Sequence, residues 1–133
     1  GELQKVAIAE CLSKEADLYL LDEPSAYLDV EQRLIVSKVI RDLIQIKKSS
    51  CLVVDHDLLF IDYLSDRITV FNGIPAEKGV VNGPFDMEEG MNMFLKDLGI
   101  TFRRDHESNR PRANKLHSQI DRKQKSEGKL FYS

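Results

Sequence analysis

The stretch Leu18-Tyr19-Leu20-Leu21-Asp22-Glu23-Pro24-Ser25-Ala26-Tyr27-Leu28-Asp29 constrains this chain more than any other. Four apolar residues run into two adjacent carboxylates, and Pro24 then prevents the strand from continuing. A short apolar run closed by a breaker reads as a buried parallel strand. Open α/β sheets bind ligands outside the carboxyl ends of their strands, which places Asp22 and Glu23 at such an end. Adjacent carboxylates beside apolar residues are costly to desolvate unless a cation or a reaction uses them. The economical user is a magnesium nucleotide, with one carboxylate helping to hold the metal and the next orienting and deprotonating a water. The plain alternative is a strand end that carries two solvated acids.

The rest of the chain supplies a setting for that run. Residues 2–13 read as a helix with Leu3, Val6, Ala7, Glu10 and Cys11 at helical spacing, and Gly1 at its start. The free N–H groups of a helix start suit a phosphate. Residues 30–46 carry Val30, Leu34, Ile35, Val39, Leu43 and Ile46, the apolar stripe of a helix laid on a sheet. Residues 51–55 form a second buried strand that ends in Asp55-His56-Asp57. A histidine in that place shares a layer with Asp22 and Glu23, within reach of a phosphate and an attacking water. Residues 57–65 read as a short helix capped by Asp57, with Leu58, Ile61 and Leu64 turned inward.

Residues 67–71 read as a strand, with a tight turn at Asn72-Gly73, a returning strand around Val80-Val81 and a further turn at Asn82-Gly83. Residues 87–98 are expected to be helical, with Met91, Phe94, Leu95 and Leu98 on a packing face. From Gly99 the chain turns basic, broken by proline and poor in core residues, and 121–128 is expected to be mobile.

Composition sets bounds on this reading. A length of 133 residues is one ordinary domain. No apolar run approaches the roughly 20 residues that span a bilayer, so no membrane partner is expected. The N-terminus, Gly1-Glu2-Leu3-Gln4, reads as the interior of a longer frame. Cys11 and Cys51 have no metal-ligand spacing and read as buried free thiols of a reducing compartment. Residues 1–102 hold 10 Lys/Arg against 18 Asp/Glu, and residues 103–133 hold 9 against 4. An acidic body with a basic tail points to a tail contact with an acidic surface or nucleic acid.

The run Asp22-Glu23-Pro24-Ser25-Ala26-Tyr27-Leu28-Asp29 resembles the Walker B motif and D-loop of ATP-binding cassette (ABC) ATPases. Gly1-Glu2-Leu3-Gln4 stands where that family has the end of its signature, and His56 where it has its switch histidine. Gly90-Met91-Asn92-Met93-Phe94-Leu95, Ile100-Thr101-Phe102-Arg103-Arg104-Asp105, Arg110-Pro111-Arg112 and Asn114-Lys115 narrow the resemblance to subfamily E, the ribosome-recycling group that includes RNase L inhibitor.

The resemblance implies an α/β fold, the C-terminal part of an ABC-type P-loop domain: parallel strands with flanking helices and a small hairpin. Residues 1–98 would be the partial second nucleotide-binding domain, and 99–133 a basic hinge-like segment. It implies ATP and Mg²⁺ as cofactors, with iron–sulfur clusters only in an N-terminal domain outside this sequence. By position, Asp22 would support Mg²⁺, Glu23 would be the general base and His56 the γ-phosphate switch. Asp29 would couple the two nucleotide sites, and Gly1 and Glu2 would border ATP held by the opposite domain. Arg103, Arg104, Arg110, Arg112 and Lys115 would belong to the hinge.

The implied partners are the opposite nucleotide-binding domain, the small ribosomal subunit, a release factor or its paralogue, and initiation factors, in the cytoplasm. No G-x-x-x-x-G-K-[ST] occurs in the sequence, so the 133 residues alone are expected to be catalytically incompetent. A non-catalytic module that pairs with a nucleotide-binding domain or ribosomal RNA, and a piece of an ABC transporter ATPase, are the competing readings.

Overall fold

The computed structural model describes residues 1–105, 107 and 111–131. The chain divides into two compact units, Gly1–Ser65 and Asp66–Ser133.

The first unit contains α1 (Glu2–Ser13), β1 (Leu18–Asp22), α2 (Val30–Lys47), β2 (Ser50–Val54) and α3 (Leu58–Leu64). Strands β1 and β2 run parallel, in register from Leu18 opposite Ser50 to Asp22 opposite Val54. The α2 crossover supplies the connection that two parallel strands require. Tyr19 and Leu21 point into one core with Ile8, Leu12, Leu28, Val36, Ile40, Phe60 and Leu64. All three helices therefore share one face of the sheet. The other face bears Leu18, Leu20, Leu52 and Val54, all more than half exposed. This corrects the expectation of two strands buried on both faces: alternate residues are covered, and nothing among the described residues covers the rest.

Helix faces also differ from expectation. On α1, Ile8 and Leu12 are buried while Leu3 and Val6 are exposed. The buried stripe runs Gln4, Ile8, Cys11, Leu12, and a polar residue at its start hides it from an apolar count. On α2, Val36, Ser37 and Ile40 are buried, whereas Val30, Ile35, Val39 and Ile46 are exposed. Both helices carry apolar residues all round, so periodicity alone could not choose the face. On α3, Phe60 and Leu64 are the buried pair, and Leu58 and Ile61 are only half-buried.

The second unit contains β3 (Arg67–Ile74), β4 (Lys78–Asp86), α4 (Met87–Leu98), β5 (Phe102–Arg104), β6 (Pro111–Ala113) and α5 (Gln119–Glu127). Strands β3 and β4 form an antiparallel hairpin whose tip lies at Pro75-Ala76-Glu77, with Glu77 N–H donating to Ile74 O at 3.1 Å. The expected turn at Asn72-Gly73 is instead ladder, with Asn72 opposite Val80. Gly73 serves close strand approach there: with φ +147°, an added Cβ would stand 2.0 Å from Lys78 O. Asn82-Gly83 likewise lies inside β4.

Helix α4 packs on this hairpin with Met91 and Leu95 buried, while Leu98 is exposed. The expected mobile stretch 121–128 is an ordered helix. Its Asp121 and Gln124 are buried with Thr101 and Asn114. Thr101 Oγ1–H donates to Asp121 Oδ1 at 2.7 Å, and Asn114 Nδ2 donates to Thr101 Oγ1 at 2.9 Å and to Gln124 Oε1. Gln124 Nε2 donates to Phe102 O at 2.9 Å. A polar network whose members satisfy one another replaces an apolar core here. That is why composition suggested disorder.

Candidate functional site

Chain direction fixes the site first. Parallel strands β1 and β2 end side by side, so residues 22–29 and 55–57 leave the same edge of the sheet. The ladder reaches one residue further, with Glu23 N–H donating to Val54 O at 2.7 Å. Pro24, which has no N–H to pair, then diverts the chain.

Glu23 adopts φ +47°, the left-handed region. For a residue with a Cβ this costs about 1–2 kcal/mol and persists only where the surroundings over-determine it. Its carbonyl accepts from Ala26 N at 3.0 Å and from Gln4 Nε2 on α1 at 3.0 Å. The conformation sends the Glu23 carboxylate toward His56, with Oε1 lying 3.6 Å from His56 Nδ1. Their side chains are 58% and 76% exposed, so both are available to a ligand. Asp22 is exposed beside them.

A carboxylate links the two strand ends. Asp55 accepts Ser25 N–H on Oδ2 at 3.0 Å and Ser25 Oγ–H on Oδ1 at 2.7 Å. Its Oδ1 also accepts Asp57 N–H at 2.9 Å. Asp57 caps α3, accepting Phe60 N–H at 2.8 Å, and its second oxygen pairs with Arg33 Nη1 from α2. Arg33 is the cation set among these acids.

The other candidates stand close by. Asp29 caps α2, its Oδ1 accepting Gln32 N–H at 2.8 Å. Gly1 precedes α1, and an added Cβ there would meet Tyr27 O at 3.0 Å. The first turn of α1 therefore abuts the loop between Glu23 and Asp29. Glu2 opens α1, an acid at the positive end of its dipole.

The edge thus brings Glu23 and His56 together; Asp22 precedes Glu23 at the end of β1, Asp29 closes the loop that follows, and Gly1, with Glu2 next to it, abuts that loop. Among the described residues no group of three His, Cys, Asp or Glu side chains could hold a metal ion. Mg²⁺ takes one or two carboxylates and fills its shell with phosphates and water, and the exposed Asp22 carboxylate at the end of β1 is a donor of that kind.

Sequence reading missed Asp55, Arg33 and Gln4. Asp55 and Asp57 flank the histidine as acids beside an apolar strand, a cost that signals a partner. Nothing in the sequence pairs them with Ser25 or Arg33. Of the residues expected in a hinge, Arg103 Nη1 donates to Asn114 Oδ1 at 3.1 Å and Arg112 Nε pairs with Asp105 at 3.2 Å. Arg110 lies outside the described residues. Cys11 and Cys51 are free thiols and only half-buried, and burial, with the neighbouring Cys11, pushes the Cys51 thiol up to about 11. No described helix is long and apolar enough to cross a membrane.

No protein-family model matches the chain. Individual relatives do, along nearly its whole length. An ABC transporter ATP-binding protein of Methanocaldococcus jannaschii is 60% identical over 132 residues, which is 99% of this chain and 22% of that protein. Translation initiation factor RLI1 of Saccharomyces cerevisiae is 52% identical over the same share of each. The chain thus spans about a fifth of the length of the curated relatives it matches. Among solved structures, archaeal ribosome recycling factor aABCE1, in complex with ribosomal stalk protein aP1, superposes with a TM-score of 0.91 at 57% identity. That match covers 99% of this chain and 26% of that one. ABCE1 in a model of ribosome-bound archaeal Pelota and ABCE1 gives 0.94 at 58% identity, over 99% of this chain and 22% of that one.

Proposed function

Because this chain belongs to subfamily E of the ABC proteins, we propose that it is the C-terminal part of a second nucleotide-binding domain and so half of an ATP-hydrolysing site in a ribosome-recycling factor. One observation carries the proposal: Glu23 Oε1 and His56 Nδ1 lie 3.6 Å apart at the ends of neighbouring parallel strands. Residues 1–98 supply the nucleotide-binding part, and residues 99–133 the hinge. The partners are the opposite nucleotide-binding domain, the small ribosomal subunit, a release factor or its paralogue, and initiation factors, in the cytoplasm. The aP1 and Pelota complexes of the solved relatives support a ribosomal setting.

Each residue then has a task. Asp22 would hold Mg²⁺, directly or through water, and the ion would neutralise phosphate charge. Glu23 takes the proton of the attacking water, since it is the exposed carboxylate that the left-handed turn presents to the site. His56 steadies that carboxylate and reaches the γ-phosphate. Gly1 leaves room for close approach at the start of α1, where free N–H groups face a phosphate held by the opposite domain. Asp29 couples the two sites through the loop that touches Gly1.

The test uses the full-length protein that contains this chain. Glu23→Gln keeps the shape and removes the base. ATP turnover is expected to fall by about 100-fold or more, the scale of a general base, with ATP binding retained. Because unhydrolysed ATP keeps the domains closed, the variant should stay on small ribosomal subunits. Turnover within about twofold of the parent would overturn the assignment.

A further inference from the structure

The catalytic reading leaves one carboxylate without a task. Asp55 stands between the apolar strand β2 and the switch histidine, and every bond it makes among the described residues is internal to the protein. It uses both oxygens on Ser25, one on the backbone N–H and one on the hydroxyl, and shares the second with Asp57 N–H. A carboxylate only accepts, and all three of these partners donate. Ser25 itself is 1% exposed, so its N–H and hydroxyl have no water to turn to.

Ser25 lies two residues after Glu23, inside the turn closed by Ala26 N–H on Glu23 O. Glu23 needs outside support to hold φ +47°. Val54 O and Gln4 Nε2 fix its own peptide groups, and the Asp55 grip fixes the chain just beyond. Since Asp55 also precedes His56, one side chain sets the spacing between the turn that carries the base and the strand that carries the histidine.

We propose that Asp55 is a positioning residue for ATP hydrolysis: by holding Ser25 with both carboxylate oxygens, it keeps the Glu23 turn in register with His56. The proposal rests on the reading of Glu23 as the base. Asp55 touches no reacting atom, and its effect passes through Ser25 and the turn.

Asp55→Asn in the full-length protein tests it. The amide is isosteric, but its NH₂ must face either Ser25 N–H or Asp57 N–H, so one of the three bonds is lost. The expected result is a kcat lower by about 10- to 100-fold with KM for ATP within about twofold, as for a misplaced catalytic group. Amide hydrogen exchange at residues 25 and 26 should quicken by about tenfold, a readout independent of turnover. Ser25→Ala leaves Asp55 and its bond to Asp57 in place and serves if Asp55→Asn folds poorly. It should give a smaller fall in kcat, and the two changes together should cost less than their separate effects combined. An unchanged kcat, unchanged exchange, or full additivity of the pair overturns the proposal. An active Glu23→Gln variant overturns it by a different route, since the base itself would then be misassigned. An inactive Glu23→Gln beside a fully active Asp55→Asn removes the Asp55 role alone.

Discussion

His56 Nδ1 faces Glu23 Oε1 at 3.6 Å, although neither side chain is buried. Burial does not hold the pair, so their backbones must: Glu23 by its left-handed turn, His56 by the strand β2 that it follows. A contact so defined is easily lost to a ligand. His56→Ala in the full-length protein should lower kcat by about 100-fold and leave ATP binding nearly intact. Adding His56→Ala to Glu23→Gln should cost little more than Glu23→Gln alone, because residues acting as a unit are not additive. Steady-state kinetics of the single and double variants check this. Independent, multiplying losses would separate the two roles.

The isolated 133-residue chain should not hydrolyse ATP. Phosphoryl transfer depends almost wholly on positioning the phosphates and neutralising their charge, and this sequence has no phosphate-cradling loop to do so. Phosphate release at millimolar ATP and Mg²⁺ should match buffer. Multiple turnovers by the purified chain would refute this.

The buried network at the C-terminus predicts an acid limit. The Thr101 hydroxyl, then the His117 N–H and Lys125, hold the Asp121 carboxyl at about 2, below its ordinary 3.8. A lowered folded value means that the ionised form stabilises the fold. That contribution is complete above the ordinary value and is lost as pH falls toward about 2. Denaturant unfolding between pH 5 and pH 2, followed at the second unit, should show stability falling in that window. Asp121→Asn should flatten the dependence there and lower stability at neutral pH, since its amide cannot accept all three donors. A pH-independent parent in that window would contradict this.

Gly90 in α4 meets Ile68, where an added Cβ would lie 2.8 Å from Ile68 Cβ and 2.9 Å from Cγ2. Two effects oppose each other in Gly90→Ala. Helix propensity favours alanine by about 1 kcal/mol. Overpacking against a β-branched residue near its backbone costs about 1–3 kcal/mol. The collision involves Cβ, which cannot swing away, so overpacking wins and the net change should be destabilising by about 1 kcal/mol. Thermal unfolding of Gly90→Ala beside Ile68→Ala and the double variant checks the cause, because Ile68→Ala removes Cγ2, one of the two close contacts, so the pair should lose less than the sum of the single changes.

Local rules made most elements legible. Asp29, Asp57, Asp86 and Ser118 cap α2, α3, α4 and α5, and Gly99 and Gly128 end two of them in the left-handed region. Turn residues misled at Asn72-Gly73, where glycine serves strand approach, and the true tip at Ala76 takes φ +61° without a glycine. Charge misled at 119–127, where polar side chains are the core.

The sequence by itself determined the four strands β1 to β4, the cap Asp57 and the candidates Asp22, Glu23 and His56, because these depend on neighbours a few residues apart. Only the tertiary structure decided which helix faces are buried, that Asp55 grips Ser25, that Arg33 meets Asp57, and that Gln4 reaches the Glu23 carbonyl. Those are pairings between residues 19 to 30 positions apart. A one-dimensional pattern carries no term for them, since hydrogen-bond donors find acceptors through space, once packing has brought the strand ends together.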